Sequence, residues 1–262
     1  GLMVPDDGED DEDDEGKTAT FPFLNKLFGG QGPSASADDG ARTNTAKEEK
    51  GKAPAKRKFL ENYCISLTRK AAEGKLDHLL AQRDEIEVPL DTGGTVTVVC
   101  CYVTPTSARF VFKDCWDEGV MNDEATNKTG YVKSKGCKHV LEDIYPHIAA
   151  EWREIIVPRT FVETIEGERV EYSDPLWLPS ATDVFGTPDG AWWNDGDDDF
   201  QLPVFARERD RVKECGDKGT YFWWLRSVRA SNAHSFCLVY TVGSAYSNSA
   251  YRSFGFAPGF DI

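Results

Sequence analysis

The final 34 residues of the chain, 229–262, contain no Lys, Glu, Gln, Met or Trp. Those five types make up 48 of the 262 residues overall, so the gap departs from the composition of the rest. They are also the five residues that no codon ending in a pyrimidine encodes. Other absences exclude whole classes. No apolar run approaches the roughly 18 residues that a membrane-spanning helix needs. No signal peptide is present, although the chain begins with Gly1, which leaves room for a leader upstream. The seven cysteines (Cys64, Cys100, Cys101, Cys115, Cys137, Cys215 and Cys237) are odd in number and include no Cys-x-x-Cys, so neither a disulfide framework nor a zinc signature is expected. They read as small buried hydrophobes in a reducing compartment, which points to the cytoplasm. No large basic patch exists. The six Lys and Arg between 47 and 58 are diluted by Glu48 and Glu49, so nucleic acid is not an expected partner.

What is present is unevenly distributed. The net charge is −15, but residues 6–15 (DDGEDDEDDE) carry nine acidic side chains, and the remainder is only −6. Residues 1–58 read as a disordered, low-complexity linker, because an acidic block and a Gly/Ser/Ala/Lys tract cannot bury enough apolar surface to offset chain ordering. Within it FPFLNKLF (21–28) is an isolated apolar cluster, open to docking as a short motif. Residues 59–87 change character. Leu60, Tyr63, Cys64, Leu67 and Ala71 follow helical spacing, and Gly74 stops the helix. From Val88 the pattern is strand-rich. VTVVCCYV (96–103) and RFVF (109–112) are β-branched and aromatic runs around a Pro105-Thr106-Ser107 turn. Cys100 and Cys101 would then point to opposite faces of a strand. Helical spacing returns over 140–148 and 151–156, closed by Pro158. Short aromatic segments separated by Gly, Asp and Pro follow. The expectation is an α+β domain over residues 88–262 with much irregular structure.

Residues 59–87 resemble the lead-in to the first ATPase module of Clp-family chaperones. The matching residues are Tyr63, Leu67, Thr68, Gly74, Lys75, Leu76, Asp77, Arg83, Asp84 and Glu85. The resemblance ends near Glu87, and no GxxxxGK[ST] phosphate loop follows, so ATPase activity is not implied. What the resemblance does imply is docking to a Clp-like AAA+ partner. An adaptor of such an assembly is therefore the alternative functional expectation.

A second resemblance covers residues 88–262. DPLWLPSATDVFG, TYFWWLRS (220–227), a central Gly243 and FGFAPGFDI (254–262) form a frame similar to bacterial domains of the C-type-lectin-like fold, several of which are variable proteins of diversity-generating retroelements. In those systems reverse transcription randomises template adenines, so AAC-type codons become any codon ending in a pyrimidine. That process would account for the missing residue types. The resemblance implies fixed spacers at Asn232, Ala233, Phe236, Cys237, Val239, Gly243, Ala245 and Ala250. It implies ligand-binding, variable positions at Arg229, Ala230, Ser231, His234, Ser235, Leu238, Tyr240, Thr241, Val242, Ser244, Tyr246, Ser247, Asn248, Ser249, Tyr251 and Arg252. The Tyr/Ser/Asn mix suits a binding surface. Tyr gives rigid contact area, and Ser and Asn give adaptable hydrogen bonds. The expected ligand is a protein or peptide, because the candidate surface is extended.

Other constellations carry less. Trp193-Asn194-Asp195 matches the Trp-Asn-Asp signature of calcium-binding C-type lectins, and Asp195 to Asp199 would add hard oxygen ligands, but no sugar-binding Glu-Pro-Asn or Gln-Pro-Asp motif accompanies it. It reads as a polar acidic loop. His78, His139, His147 and His234 are scattered without metal-ligand spacing. The Trp192-Trp193 and Trp223-Trp224 pairs read as core packing rather than a sugar-stacking platform. No Ser/His/Asp or Cys/His arrangement rises above chance spacing. The expectation is a binding protein, not an enzyme, without metal or cofactor.

Overall fold

The computed structural model describes residues 80–193, 195 and 200–262, all within the compact unit Lys52–Ile262. The acidic block, the FPFLNKLF patch and the Clp-like residues 59–79 lie outside the described residues, as do Asn194 and residues 196–199.

The β-branched run expected over 96–103 forms strand β2 (Thr95–Val103), and the next run forms β3 (Ala108–Phe112). These pair antiparallel with a register shift between Cys100 and Tyr102, which leaves Cys101 as the extra residue of a bulge. Both thiols are buried as a result, where a regular strand would have separated them. Strand β1 (Glu85–Pro89) pairs with β2. The domain boundary expected at residue 88 therefore falls inside a strand, and the folded domain reaches back at least to buried Leu80. Val88 of EIEVP is fully buried and Ile86 packs half-buried against the core, so the sheet captures this short acidic segment through two apolar side chains.

The helical spacing after residue 134 produces one continuous run of three kinds of turn: α1 (Lys135–Lys138), a π turn (His139–Ile144) and a 3-10 turn (Tyr145–His147). Ser134 caps it, its Oγ accepting from Cys137 N at 3.0 Å. Helix α2 (Ala150–Arg153) is a single turn. Residues 159–174 then fold as a hairpin, β5 (Arg159–Ile165) and β6 (Glu168–Asp174), which follows a short β4 (Asp117–Val120) earlier in the chain. The hairpin turn is Glu166-Gly167, with φ of 52° and 87°, the positive values that a two-residue primed turn requires. Alternation in RTFVETI is the sequence signal for this hairpin, with Phe161 and Ile165 buried.

Helix α3 (Ala181–Phe185) begins with a reciprocal capping box. Ser180 Oγ accepts from Asp183 N at 2.8 Å, and an Asp183 carboxylate oxygen accepts from Ser180 N at 2.9 Å. Burial alone would raise the Asp183 carboxyl. The nearby Arg159 and Arg226 guanidinium groups outweigh burial and hold it below the usual range.

The chain closes with β7 (Lys213–Glu214), β8 (Thr220–Tyr221), β9 (Trp223–Val228), β10 (Ser235–Val239), β11 (Ala245–Ser249), β12 (Ser253–Phe256) and β13 (Gly259–Asp261). One sheet has the order β1-β2-β3-β13, and a second has the order β11-β10-β9-β12-β4. Two short ribbons, β5-β6 and β7-β8, complete the strand pairing among the described residues. The result is an α+β fold dominated by sheet, with few helices and long irregular connections. Trp152, Trp177, Trp223, Trp224, Phe110, Phe256 and Phe260 are fully buried in its core, as expected of the aromatic frame. No helix among the described residues is long and apolar enough to cross a membrane.

One expectation is corrected outright. Cys115 and Cys215, one hundred positions apart, form a disulfide. The bond lies against Gly255 of β12, where a side chain would overlap both sulfurs. Cys100, Cys101, Cys137 and Cys237 are free and buried, as expected of small apolar residues.

Candidate functional site

Residues 229–253 form a hairpin and its two flanking loops at the edge of the five-stranded sheet. All five residues of β10 are buried, whereas β11 has none buried. The apolar sequence SFCLV explains the first and the polar sequence AYSNS the second. The hairpin turn closes through Tyr240 N to Ser244 O and Gly243 N to Tyr240 O, both at 2.8 Å. Gly243 has φ of 85°, and a Cβ there would overlap the Glu208 carbonyl. This position requires glycine.

The flanking loops are pinned by the body of the domain. The Asn127 side chain, itself buried, donates to the carbonyls of Asn232 and Ser235, each at 2.7 Å. Ala250 is fully buried, and its carbonyl accepts from both Met121 N and Asn122 N. His234 Nδ1 lies 2.6 Å from the Ala125 carbonyl. Trp223 and Trp224 support β10 from β9, their indole N–H groups donating to Arg211 O at 2.9 Å and Gly119 O at 3.0 Å. Lys213 is buried with its ammonium 5.0 Å from the Trp223 ring centroid, and burial lowers its pKa to about 8.

The expected binding positions divide by exposure. Arg229, Ala230, Ser231, His234, Tyr240, Val242, Tyr246, Tyr251 and Arg252 are exposed, and Thr241, Ser244, Ser247, Asn248 and Ser249 are half-buried. Ser235 and Leu238 are buried, so they do not belong to the surface. Leu238 sits in the one strand of the region that packs on both faces, and composition carries no information about that. Among the expected spacers, Phe236, Cys237, Val239, Gly243 and Ala250 are buried, and Asn232, Ala233 and Ala245 are half-buried. Burial pushes the Cys237 thiol well above its ordinary range, so it is unreactive.

Exposed aromatic area is concentrated here. Six large apolar or aromatic side chains are exposed among the described residues, and four of them are Tyr240, Val242, Tyr246 and Tyr251. Tyr240 packs edge-on against both Phe222 (4.7 Å between centroids) and Tyr246 (5.7 Å). Phe222 continues to Phe254 at 5.1 Å. On the other flank the Arg229 guanidinium lies 5.4 Å from the Trp192 ring centroid and donates to Ser247 Oγ at 3.1 Å. Trp192, expected in core packing, and Phe222 are thus parts of this surface; their neighbours Trp193 and Trp223 are buried.

Beside this surface is a cavity of about 160 Å³, lined by residues that include Asn127, Glu163, Asp195, Arg226, Ser227 and Ala230. Glu163 accepts from Tyr172 Oη at 2.6 Å, Tyr131 N at 2.9 Å and Val132 N at 3.3 Å, tying the β5-β6 hairpin to the loop before α1. Burial raises its pKa despite those donors. Asp195 accepts from Thr182 N and Oγ1, both at 2.9 Å. These groups hold elements together. No cluster of three or more His, Cys, Asp or Glu with metal-binding geometry occurs among the described residues. Of the loop 193–199, read from the sequence as a polar acidic loop, Asn194 and residues 196–199 lie outside them. His139 sits between Asp117 and Asp143, and His147 stacks near Trp116, so neither is part of the surface. The arrangement offers aromatic contact area and directional hydrogen bonds.

Residues 95–262 match a family described as a domain of unknown function, DUF6273. No curated protein and no solved structure matches the chain.

Proposed function

We propose that this chain, which belongs to the DUF6273 family, is a binding protein whose ligand surface is residues 229–253, carried on a C-type-lectin-like scaffold. The ligand is a protein or peptide. Tyr240, Tyr246 and Tyr251 act as rigid anchors, and Arg229 and Arg252 as directional hydrogen-bonding groups. The residue gap over 229–252 is the trace of diversification by a retroelement, which randomises the adenines of AAC-type codons and leaves their final pyrimidine in place.

One observation carries this reading. Within a single segment, nine of the residues read as variable are exposed, while Phe236, Cys237, Val239, Gly243 and Ala250, read as fixed, are buried. A surface that tolerates arbitrary side chains needs that separation, because a changed core residue costs several kcal/mol whereas a changed surface residue usually costs about 0.5 kcal/mol or less. Sequencing the DNA that flanks the gene tests the origin. The expected result is a reverse transcriptase gene and a near-copy of the coding region with AAC-type codons at the exposed positions. Finding neither removes the retroelement from the account. Related copies that vary at Phe236 or Ala250 as freely as at Tyr246 would remove the surface assignment as well.

A further inference from the structure

We propose that the free edge of β11 is a strand-addition site that takes an extended acidic peptide. The inference rests on residues 229–253 being the ligand surface and adds how the ligand lies on it. Strand β11 ends its sheet and pairs only with β10. The register, with Tyr240 N bonded to Ser244 O and Ala250 N bonded to His234 O, makes Leu238/Tyr246 and Phe236/Asn248 the hydrogen-bonded pairs. The N–H and C=O groups of Ala245 and Ser247 therefore point away from β10, toward the open edge. Beyond them the edge is closed: Ser249 N donates to Asn248 Oδ1 at 2.8 Å, and Ser249 O accepts from Arg252 N at 3.0 Å. Two donors and two acceptors remain on residues 245–247, and extended peptides dock on such rows. The usual protections of an edge are missing. AYSNS contains no charge and no proline, and its pairing with β10 has no bulge.

The two faces of an added strand would meet different chemistry. A residue opposite Tyr246 lies on the face of the Tyr240–Tyr246 pair and would be apolar. Residues opposite Ala245 and Ser247 lie on the other face, where the exposed Arg229 donates to Ser247 Oγ. Residues 229–253 contain two arginines and neither Asp nor Glu, in a chain of net charge −15. A carboxylate opposite Ser247 would therefore meet Arg229 without a competing acid in the segment. The ligand is thus an extended peptide with an apolar residue opposite Tyr246 and an acidic residue opposite Ser247. Pairing of β11 with a second copy would instead bring four arginines together.

The probe is a displayed library of random ten-residue peptides, selected on the full chain. Selected peptides should carry an acidic residue next to an apolar one and bind Ser247→Pro at least tenfold more weakly than Ser247→Ala, a comparison that separates loss of the N–H from loss of the hydroxyl. Proline removes an N–H that faces the open edge, a position where sheets accept it, together with the hydroxyl that accepts from Arg229. Synthetic peptides N-methylated at alternate amides give a measure independent of the variant's folding. One alternate set should lose at least tenfold and the other should not. If N-methylation has no effect while Tyr246→Ala abolishes binding, edge pairing is wrong and the ligand surface stands. If neither N-methylation nor Tyr240→Ala nor Tyr246→Ala matters, both are wrong. A dimer in sedimentation that Ser247→Pro dissociates would make a second copy the occupant and overturn the acidic peptide.

Discussion

Leu238 and Tyr246 face each other across the β10–β11 pair, one with no exposed surface and the other 48% exposed. The pair marks where the exposed face of the hairpin stops and the core begins. Truncating Leu238 to Ala leaves a cavity and should cost about 2–5 kcal/mol. Tyr246→Ala loses only a half-exposed ring contact and should cost less than about 1 kcal/mol. Urea titration of both variants checks the contrast. Equal losses would mean that the two positions are not divided as the fold divides them.

Gly243 is the tightest constraint in the hairpin turn. An alanine there would take an unfavourable left-handed conformation and would press on the Glu208 carbonyl. Gly243→Ala should destabilise by more than about 2 kcal/mol, whereas changes at the neighbouring exposed Val242 should stay within about 0.5 kcal/mol. Thermal melts of the two variants decide the matter.

The Cys115–Cys215 bridge predicts a specific labelling pattern. Alkylation in denaturant without reductant should spare these two cysteines, and reduction should add two labels that map to them by mass spectrometry. Replacing both with Ser should cost about 2–5 kcal/mol. Equal labelling before and after reduction would show that the two sulfurs are not joined.

His139 gives the domain a pH dependence. Its hydrogen bond to Asp117 raises the imidazole pKa, burial opposes that, and Asp143 adds to the rise. The charged form is thus favoured in the folded state. Its stabilisation is complete below the ordinary histidine range and is lost as pH rises through the folded value. Burial raises Asp174 to about 6, which likewise favours the protonated folded state. Stability should therefore fall between about pH 4 and 6 as Asp174 ionises, and fall again above the ordinary histidine pKa of about 6.5 as His139 loses its proton. His139→Asn should remove the upper fall and leave the one below pH 6, measured by urea midpoints across the range.

Much of the fold was legible where one side-chain type dominates a run. The β-branched residues of β2 and β3 announced those strands within one residue of their ends. The Trp223-Trp224 frame was legible because such large rings must be buried somewhere. Strand β1 was not legible, because its five residues include two glutamates and a proline and only Val88 is fully buried. The disulfide joins positions one hundred residues apart, and spacing alone cannot reveal a long-range pair. In the candidate site, composition indicated the segment but not direction. Leu238 and Tyr240 both belong to the pyrimidine-encoded set, yet one faces the core and the other faces solvent. Direction comes from the two-sided packing of β10, a tertiary fact.

Strand β12 lies between β9 and β4, and β13 completes the other sheet, yet both are translated after the binding segment. A shift of reading frame or an early stop anywhere in residues 229–253 therefore deletes an interior strand, not a dispensable tail. Such a copy has no way to close its second sheet and becomes prey for proteases. Codons that end in a pyrimidine include no stop signal, so the proposed rewriting, confined to them, would keep the last two strands in every product. The order of strands would then make folding itself the inspection step for the reading frame.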